Sequence, residues 1–135
     1  LESGSHGSTF GGNAVACAAA IANLDVIKGE RLVENSAKLG KYALKRLRDI
    51  ECKIVGDIRG KGLLMGIELV KNKKKKTPAK EEARKVIIEC AKKGLVVSGG
   101  GTYDNIVRII PPLSIQENLL DKGIDILEET LQQLK

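Results

Sequence analysis

Aromatic residues make up only 2% of this 135-residue sequence, and tryptophan is absent. Phe10, Tyr42 and Tyr103 are the whole aromatic set, so any core has to be built from aliphatic side chains. Hydrophobic residues reach 42%, which is normal for a folded chain and excludes a disordered one. A chain of this length is typical of one domain with a core of its own.

Cysteine and histidine are also scarce. Cys17, Cys52 and Cys90 are odd in number and widely spaced, which excludes a disulfide framework and any spacing typical of metal ligands. Cys17 and Cys90 fall on apolar helix faces, so we expect buried, reduced thiols and a cytoplasmic protein. The single histidine, His6, has no acidic or thiol partner nearby, and we interpret it as a loop residue. The sequence therefore predicts no metal site and no catalytic residue of its own.

Long apolar runs are missing too, and nothing resembles a signal peptide, so no membrane partner is expected. The net charge of +6 comes mostly from a basic cluster at Lys71 and Lys73 to Lys76. Such a run is typical of a solvated loop. Because arginine and stacking aromatics are absent around it, nucleic-acid binding is not expected, although polyanion binding through the Lys71–Lys76 patch remains an alternative.

Hydrophobic periodicity and turn residues predict the element order α-α-β-β-α-β-β-α. The predicted helices cover residues 13–27, 30–50, 77–94 and 114 to the C-terminus, and the predicted strands cover residues 54–59, 63–70, 95–97 and 106–110. Thr77-Pro78 and a capping box at Ser114–Glu117 are expected to start the last two helices. This pattern predicts an α/β protein of the α+β kind, with a small mixed or antiparallel sheet and helices on one face. The first helix is apolar nearly all round, which predicts a long buried helix.

Two segments could bind anions. The loop from Gly7 to Asn13 contains Ser8 and Thr9 and leads into a helix N-terminus, where a phosphate is favourable. The alternative is a simple helix-entry loop. Arg108 stands among four β-branched residues in the strand 106–110, and its side chain is expected on the face opposite Val107. It could lie on an exposed strand face, or it could bind a carboxylate through two parallel hydrogen bonds.

Three ordered motifs carry a family resemblance. They are Gly4 to Asn13 followed by an alanine-rich helix, Asp57-Ile58-Arg59-Gly60-Lys61-Gly62-Leu63-Leu64-Met65-Gly66-Ile67-Glu68, and the segment from Gly101 to Leu113. Together they resemble the class III aminotransferases that depend on pyridoxal 5'-phosphate (PLP), of the ornithine, 4-aminobutyrate and acetylornithine type. The resemblance implies a type I PLP fold, of which this chain covers an inter-domain loop and connecting helix (1–28) and the C-terminal small domain (29–135).

The same resemblance implies roles for three residues. Thr9, with Ser8 beside it, corresponds to the residue that donates its hydroxyl and amide to the PLP phosphate in the other subunit of a homodimer. Arg108 corresponds to the residue that binds the substrate α-carboxylate. The expected substrates are amino acids and 2-oxo acids.

The family's PLP-binding lysine, its pyridine-nitrogen aspartate and its ring-stacking aromatic all precede the residues that match Leu1. We therefore expect a truncated chain or fragment, beginning at Leu1 rather than Met, that is inactive alone. The parent reaction would move an amino group from ornithine or a similar ω-amino acid to a 2-oxo acid. The alternative to this part-enzyme is a non-catalytic dimerisation or interaction module.

Overall fold

The structure, a computed structural model, describes residues 2–134. Leu1 and Lys135 lie outside the described residues. Leu1 begins the predicted segment 1–28, and Lys135 ends both the predicted segment 29–135 and the predicted last helix. By its internal contacts the chain divides into two units, unit 1 up to Val33 and unit 2 from Glu34 onward. The elements are α1 (Ala14–Gly29), α2 (Leu32–Arg48), β1 (Val55–Lys61), β2 (Leu64–Asn72), β3 (Thr77–Pro78), α3 (Lys80–Lys92), β4 (Ser98–Gly100), β5 (Ile106–Ile109) and α4 (Glu117–Gln133).

Unit 1 consists of a loop and the helix α1. Asn13 caps α1, since its Oδ1 accepts a hydrogen bond of 3.1 Å from the Ala16 amide. The prediction that this helix is buried is wrong for the chain described: no residue of α1 is buried, and Val15 is 79% exposed. The physical reason is that unit 1 contains no second element against which the apolar surface of α1 could pack.

Unit 2 is built on an antiparallel sheet with the strand order β1-β2-β5-β4, and β3 pairs with the far end of β2. The predicted fold class is confirmed, and the sheet is the antiparallel variant. β1 and β2 form a hairpin whose turn contains Gly62 at φ +56°, a conformation that glycine adopts without strain. β2 then pairs with β5 between Met65↔Ile109 and Glu68↔Ile106.

The core of unit 2 lies on one face of this sheet. β2 alternates from Leu64 to Leu69 and β5 alternates around Val107, so that Met65, Ile67 and Val107 point into the core. The helices α2, α3 and α4 bring aliphatic side chains against that face, as expected from the shortage of aromatics. The fully buried helical residues include Leu47, Val86, Ile124, Leu127 and Leu131.

Four element predictions in unit 2 are wrong in detail. Thr77-Pro78 does not start the third helix but pairs with Val70 and Asn72, and the helix begins at Lys80. The strand predicted at residues 95–97 is absent, and residues 98–100, expected as a loop, form the strand instead, because the free edge of β5 offers them a ladder partner. The last helix also begins later than the predicted capping box, since Gln116 is its N-cap and provides no side-chain hydrogen bond.

Candidate functional site

The loop before α1 exposes two hydroxyl groups. Residues 10–13 form a turn closed by a 3.3 Å hydrogen bond from the Asn13 amide to the Phe10 carbonyl, with Gly12 at φ +80°. Ser8 and Thr9 precede this turn, and both residues are exposed. Their hydroxyls make no hydrogen bond within the described part of the chain.

The donor chemistry of this loop fits a phosphate. Ser8 folds back over Gly11 so closely that a Cβ on Gly11 would lie 3.0 Å from the Ser8 Oγ. The loop leads into the N-terminus of a 16-residue helix, where backbone amides and the helix dipole favour an anion. Hydroxyl and amide donors at such a place are what a phosphate group accepts hydrogen bonds from.

Arg108 lies in β5 on the face of the sheet opposite the core. We call this face, with its residues Asp57, Arg59, Gly66, Glu68, Ile106 and Arg108, the open face. Arg108 is exposed and makes no hydrogen bond or ion pair with any described residue. Its cross-strand partner on β2 is Gly66, which has no side chain to cover the guanidinium. A guanidinium in such a place can present two parallel N–H groups to a carboxylate.

Gly100 on β4 positions the Arg108 side chain. A Cβ at Gly100 would lie 2.9 Å from the Arg108 Nε and 3.1 Å from its Cδ. The guanidinium stem therefore rests on the bare backbone of β4, and any larger residue at position 100 would displace it. The predicted strands leave Gly99 to Gly101 between them as a loop, so sequence reasoning missed this contact.

A compact charge cluster occupies the β1–β2 part of the open face. The Arg59 Nη1 lies 2.7 Å from the Asp57 Oδ2 and also 2.7 Å from the Glu68 Oε2. The hydrogen bond to Asp57 and then that to Glu68 raise the pKa of Arg59 above its ordinary value. Sequence reasoning did not single out this cluster, although charged residues at alternate positions of a predicted strand were a signal for it.

The sequence matches the class-III aminotransferase family over residues 1–131. The chain belongs to this family. An ornithine aminotransferase of Halalkalibacterium halodurans is 42% identical over 125 residues, which cover 93% of this chain and 28% of that protein. A leucine/methionine racemase of Thermococcus litoralis is 40% identical over 132 residues, which cover 96% of this chain and 29% of that protein.

Solved structures agree with this assignment. A Bacillus anthracis aminotransferase superimposes with a TM-score of 0.90 at 40% identity, covering 96% of this chain and 30% of that one. The chain thus spans less than a third of the length of these class-III relatives. The family depends on PLP in general and acts on amino acids and 2-oxo acids. The resemblance seen in the sequence is confirmed, whereas the roles of Ser8, Thr9 and Arg108 stay predictions.

The structure places these three residues in different units. Ser8 and Thr9 lie in unit 1 and Arg108 lies in unit 2. The residues 2–134 contain no group of three His, Cys, Asp or Glu side chains that could hold a metal ion. No helix among them is long and apolar enough to cross a membrane.

The sequence analysis also singled out the cysteines and the basic cluster. Cys90 is buried as predicted, whereas Cys17 is exposed on α1, so its predicted burial is wrong. Lys71 and Lys73 to Lys76 are exposed around the turn between β2 and β3. The Lys71 Nζ lies 4.0 Å from the Glu82 Oε1. Polyanion binding by this turn stays a prediction.

Proposed function

We propose that this chain is the small-domain part of a PLP-dependent aminotransferase that moves an amino group from ornithine or a similar ω-amino acid to a 2-oxo acid. Membership of the class-III family and the presence of an ornithine aminotransferase among the relatives support the proposal. The observation that carries it is Arg108, an exposed and unpaired guanidinium on an otherwise apolar strand. An unpaired guanidinium among β-branched residues suits a carboxylate ligand, and both substrates have one.

Arg108 orients the substrate in this proposal. Its side chain lies over Gly100, which limits its freedom before a ligand arrives. Two parallel N–H···O bonds fix the carboxylate plane and therefore the direction in which the reacting carbon points. Lysine at the same place would supply the charge without this planar fork.

Ser8 and Thr9 would hold the phosphate of PLP. Their exposed hydroxyls and the N-terminus of α1 fit that group, and the family resemblance assigns it to the other subunit, so a homodimer is part of the proposal. When bound, PLP supplies an electron sink for the bond broken at the carbon bearing the amino group. No lysine of this chain matches the family's PLP-binding lysine, so the 135-residue chain by itself is not expected to transaminate.

The test uses the complete product of the gene that encodes this chain. We expect it to transaminate ω-amino acids. We expect Arg108→Ala to raise KM for the amino acid and the 2-oxo acid by about 100-fold, because the variant loses a charge-assisted pair of hydrogen bonds that contributes about 1.5–3 kcal/mol. Arg108→Lys should recover part of this loss. Thr9→Val should weaken retention of PLP during dialysis while leaving KM for the 2-oxo acid nearly unchanged. Unchanged KM values in Arg108→Ala would refute the carboxylate role.

The exposed apolar residues of α1 and of the loop before it favour a second candidate, an interaction module without catalysis. Phe10, Val15 and Ile21 are 84%, 79% and 61% exposed, which is more apolar surface than a short segment normally leaves in water. In that case the chain associates with itself or with a partner through α1. Sedimentation of the 135-residue chain over a range of concentrations decides this point, and a strict monomer contradicts self-association.

A further inference from the structure

The open face holds two carboxylates directly opposite each other. The β1–β2 register pairs Asp57 with Glu68 across the hairpin. Like charges in directly opposed positions of an antiparallel pair repel each other and destabilise it. These two carboxylates need a cation between them to remain side by side.

Arg59 supplies that cation with a single nitrogen. Its Nη1 lies 2.7 Å from one oxygen of each carboxylate. Glu68 is therefore drawn toward β1. The side chains of Arg59 and Asp57 are about half exposed, at 51% and 50%, whereas that of Glu68 is 27% exposed.

Glu68 is also a diagonal neighbour of Arg108. Glu68 pairs with Ile106 on β5, and Arg108 stands two residues farther along the same strand and face. Diagonal neighbours of this kind have Cβ atoms roughly 7–8 Å apart, which the side chains of glutamate and arginine can bridge. The structure shows no such bridge: Arg108 rests over Gly100 on β4, on the opposite side of β5 from Glu68.

We propose that Arg59 is a positioning residue that retains Glu68 beside Asp57 and thereby keeps Arg108 free for a carboxylate ligand. Without Arg59, repulsion from Asp57 drives Glu68 away from β1 and toward the unpaired guanidinium. Glu68 then competes with the ligand as an internal carboxylate. The part of this inference that concerns the substrate rests on the proposed function, whereas the competition between the two arginines for Glu68 does not.

The first test uses the 135-residue chain and needs neither PLP nor activity. We would record the Nε–Hε resonance of Arg108 by NMR in wild type, Arg59→Gln, Glu68→Gln and the double variant. The resonance should shift in Arg59→Gln and return to near its wild-type position in the double variant, because the neutral amide that replaces the Glu68 carboxylate cannot form an ion pair. Arg59→Lys, which keeps a cation there, should shift it less than Arg59→Gln.

An unshifted Arg108 resonance in Arg59→Gln would overturn the proposal, provided that the backbone spectrum shows an intact β1–β2 hairpin. A resonance that shifts equally in Arg59→Gln and the double variant would overturn it too. That result would mean that Arg108 responds to altered packing and not to the charge of Glu68.

The second test uses the complete gene product. Arg59→Gln should raise KM about fivefold for a carboxylate-bearing amino donor, because a cross-strand ion pair between Glu68 and Arg108 would compete with the donor's carboxylate. An alkylamine of the same length without a carboxylate should show no change, and Glu68→Gln should restore KM in the Arg59→Gln background. A rise of equal size for both donors would contradict the proposal, because it would indicate a general structural defect.

The two proposals fail in different ways. If Arg108→Ala leaves KM unchanged while the NMR experiment shows Glu68 moving to Arg108, the carboxylate role of Arg108 is wrong and the charge competition stands. If Arg108→Ala raises KM but the Arg108 resonance does not shift in Arg59→Gln, the proposed function stands and the proposed role of Arg59 is wrong.

Discussion

At the residue scale, two helical glycines of unit 2 differ in the space that surrounds them. Gly40 in α2 faces the hairpin turn, and a Cβ there would overlap the carbonyl carbon and oxygen of Gly62. The same turn is held by the Leu63 amide, which donates to the Ser36 Oγ at 3.1 Å. Gly123 in α4 is different, since its Cβ would meet only the Leu95 Cδ1 at an ordinary 3.4 Å.

We expect Gly40→Ala to lower the free energy of unfolding by about 3 kcal/mol, because the helix has to move away from the hairpin. The matched variant Gly123→Ala should raise it by about 0.5–1 kcal/mol, since alanine is the better helix former and fits the space. Urea unfolding followed by circular dichroism measures both. A Gly40→Ala chain as stable as wild type would show that the contact between α2 and the turn is not close.

The sequence predicts Arg108 well, because strand alternation alone puts it on the face opposite Val107. It does not predict what lies beside Arg108. The contact between the Arg108 side chain and Gly100 depends on the pairing of β4 with β5. The sequence does not predict this pairing, because three glycines in a row have no strand pattern. The bridge from Arg59 to Glu68 likewise depends on the register of the hairpin, which a bulge between Val55 and Asp57 shifts.

At the element scale, α2 is joined to α4 by a polar cluster centred on Arg46. The Arg46 Nη1 lies 3.0 Å from Asp121 and its Nη2 lies 2.8 Å from Asp125, while the Tyr42 hydroxyl donates to Asp121 at 2.7 Å. The hydrogen bond to Asp125 is the main cause that raises the pKa of Arg46. Glu128 follows on the same side of α4, with an oxygen 4.0 Å from the Arg46 Nη2.

Arg46→Gln should lower the free energy of unfolding by about 1 kcal/mol, since it leaves neighbouring carboxylates on one side of α4 without their cation. Arg46→Lys should lose less, because it retains the charge but not the fork. Chemical unfolding at low and high salt tests this: the deficit of Arg46→Gln should shrink as salt screens the carboxylates. A deficit that is independent of salt would assign the effect to packing.

The element predictions succeed where the signal is local and fail where a partner decides. The amphipathic pattern of α2 and α4 and the glycine turn after β1 are sufficient to place those elements. Thr77-Pro78 has the residues of a helix start, but hydrogen-bonded pairing with β2 draws it into an extended bridge. The apolar surface of α1 predicts burial, yet no packing partner lies within its own unit.

At the scale of the whole molecule, the two units differ in how they protect their thiols. Cys17 is exposed on α1, whereas Cys90 is buried in the core of unit 2. Burial is the main cause that raises the pKa of the Cys90 thiol above its ordinary value. Both the access of a reagent and the thiolate population are therefore low at Cys90.

A thiol reagent should modify the exposed Cys17 much faster than Cys90, which should react only when unit 2 opens. Mass spectrometry of peptides from a labelling time course measures both rates. The Cys90 rate should rise in Gly40→Ala by the same factor as the unfolding equilibrium constant, whereas the Cys17 rate should not change. Modification of Cys90 as fast as that of Cys17 would contradict a closed core in unit 2.

The position of β2 in the sheet has a consequence for synthesis on the ribosome. β2 bonds to β1 along one edge. Along the other edge only its far end bonds to the early β3, and the partner of Met65 to Glu68, β5, comes about 40 residues later. The hairpin can thus form early, while β2 keeps an unpaired apolar edge until Ile106 to Ile109 emerge. A nascent chain that pauses before this point exposes the strand most able to recruit another chain, so chaperone demand should peak there.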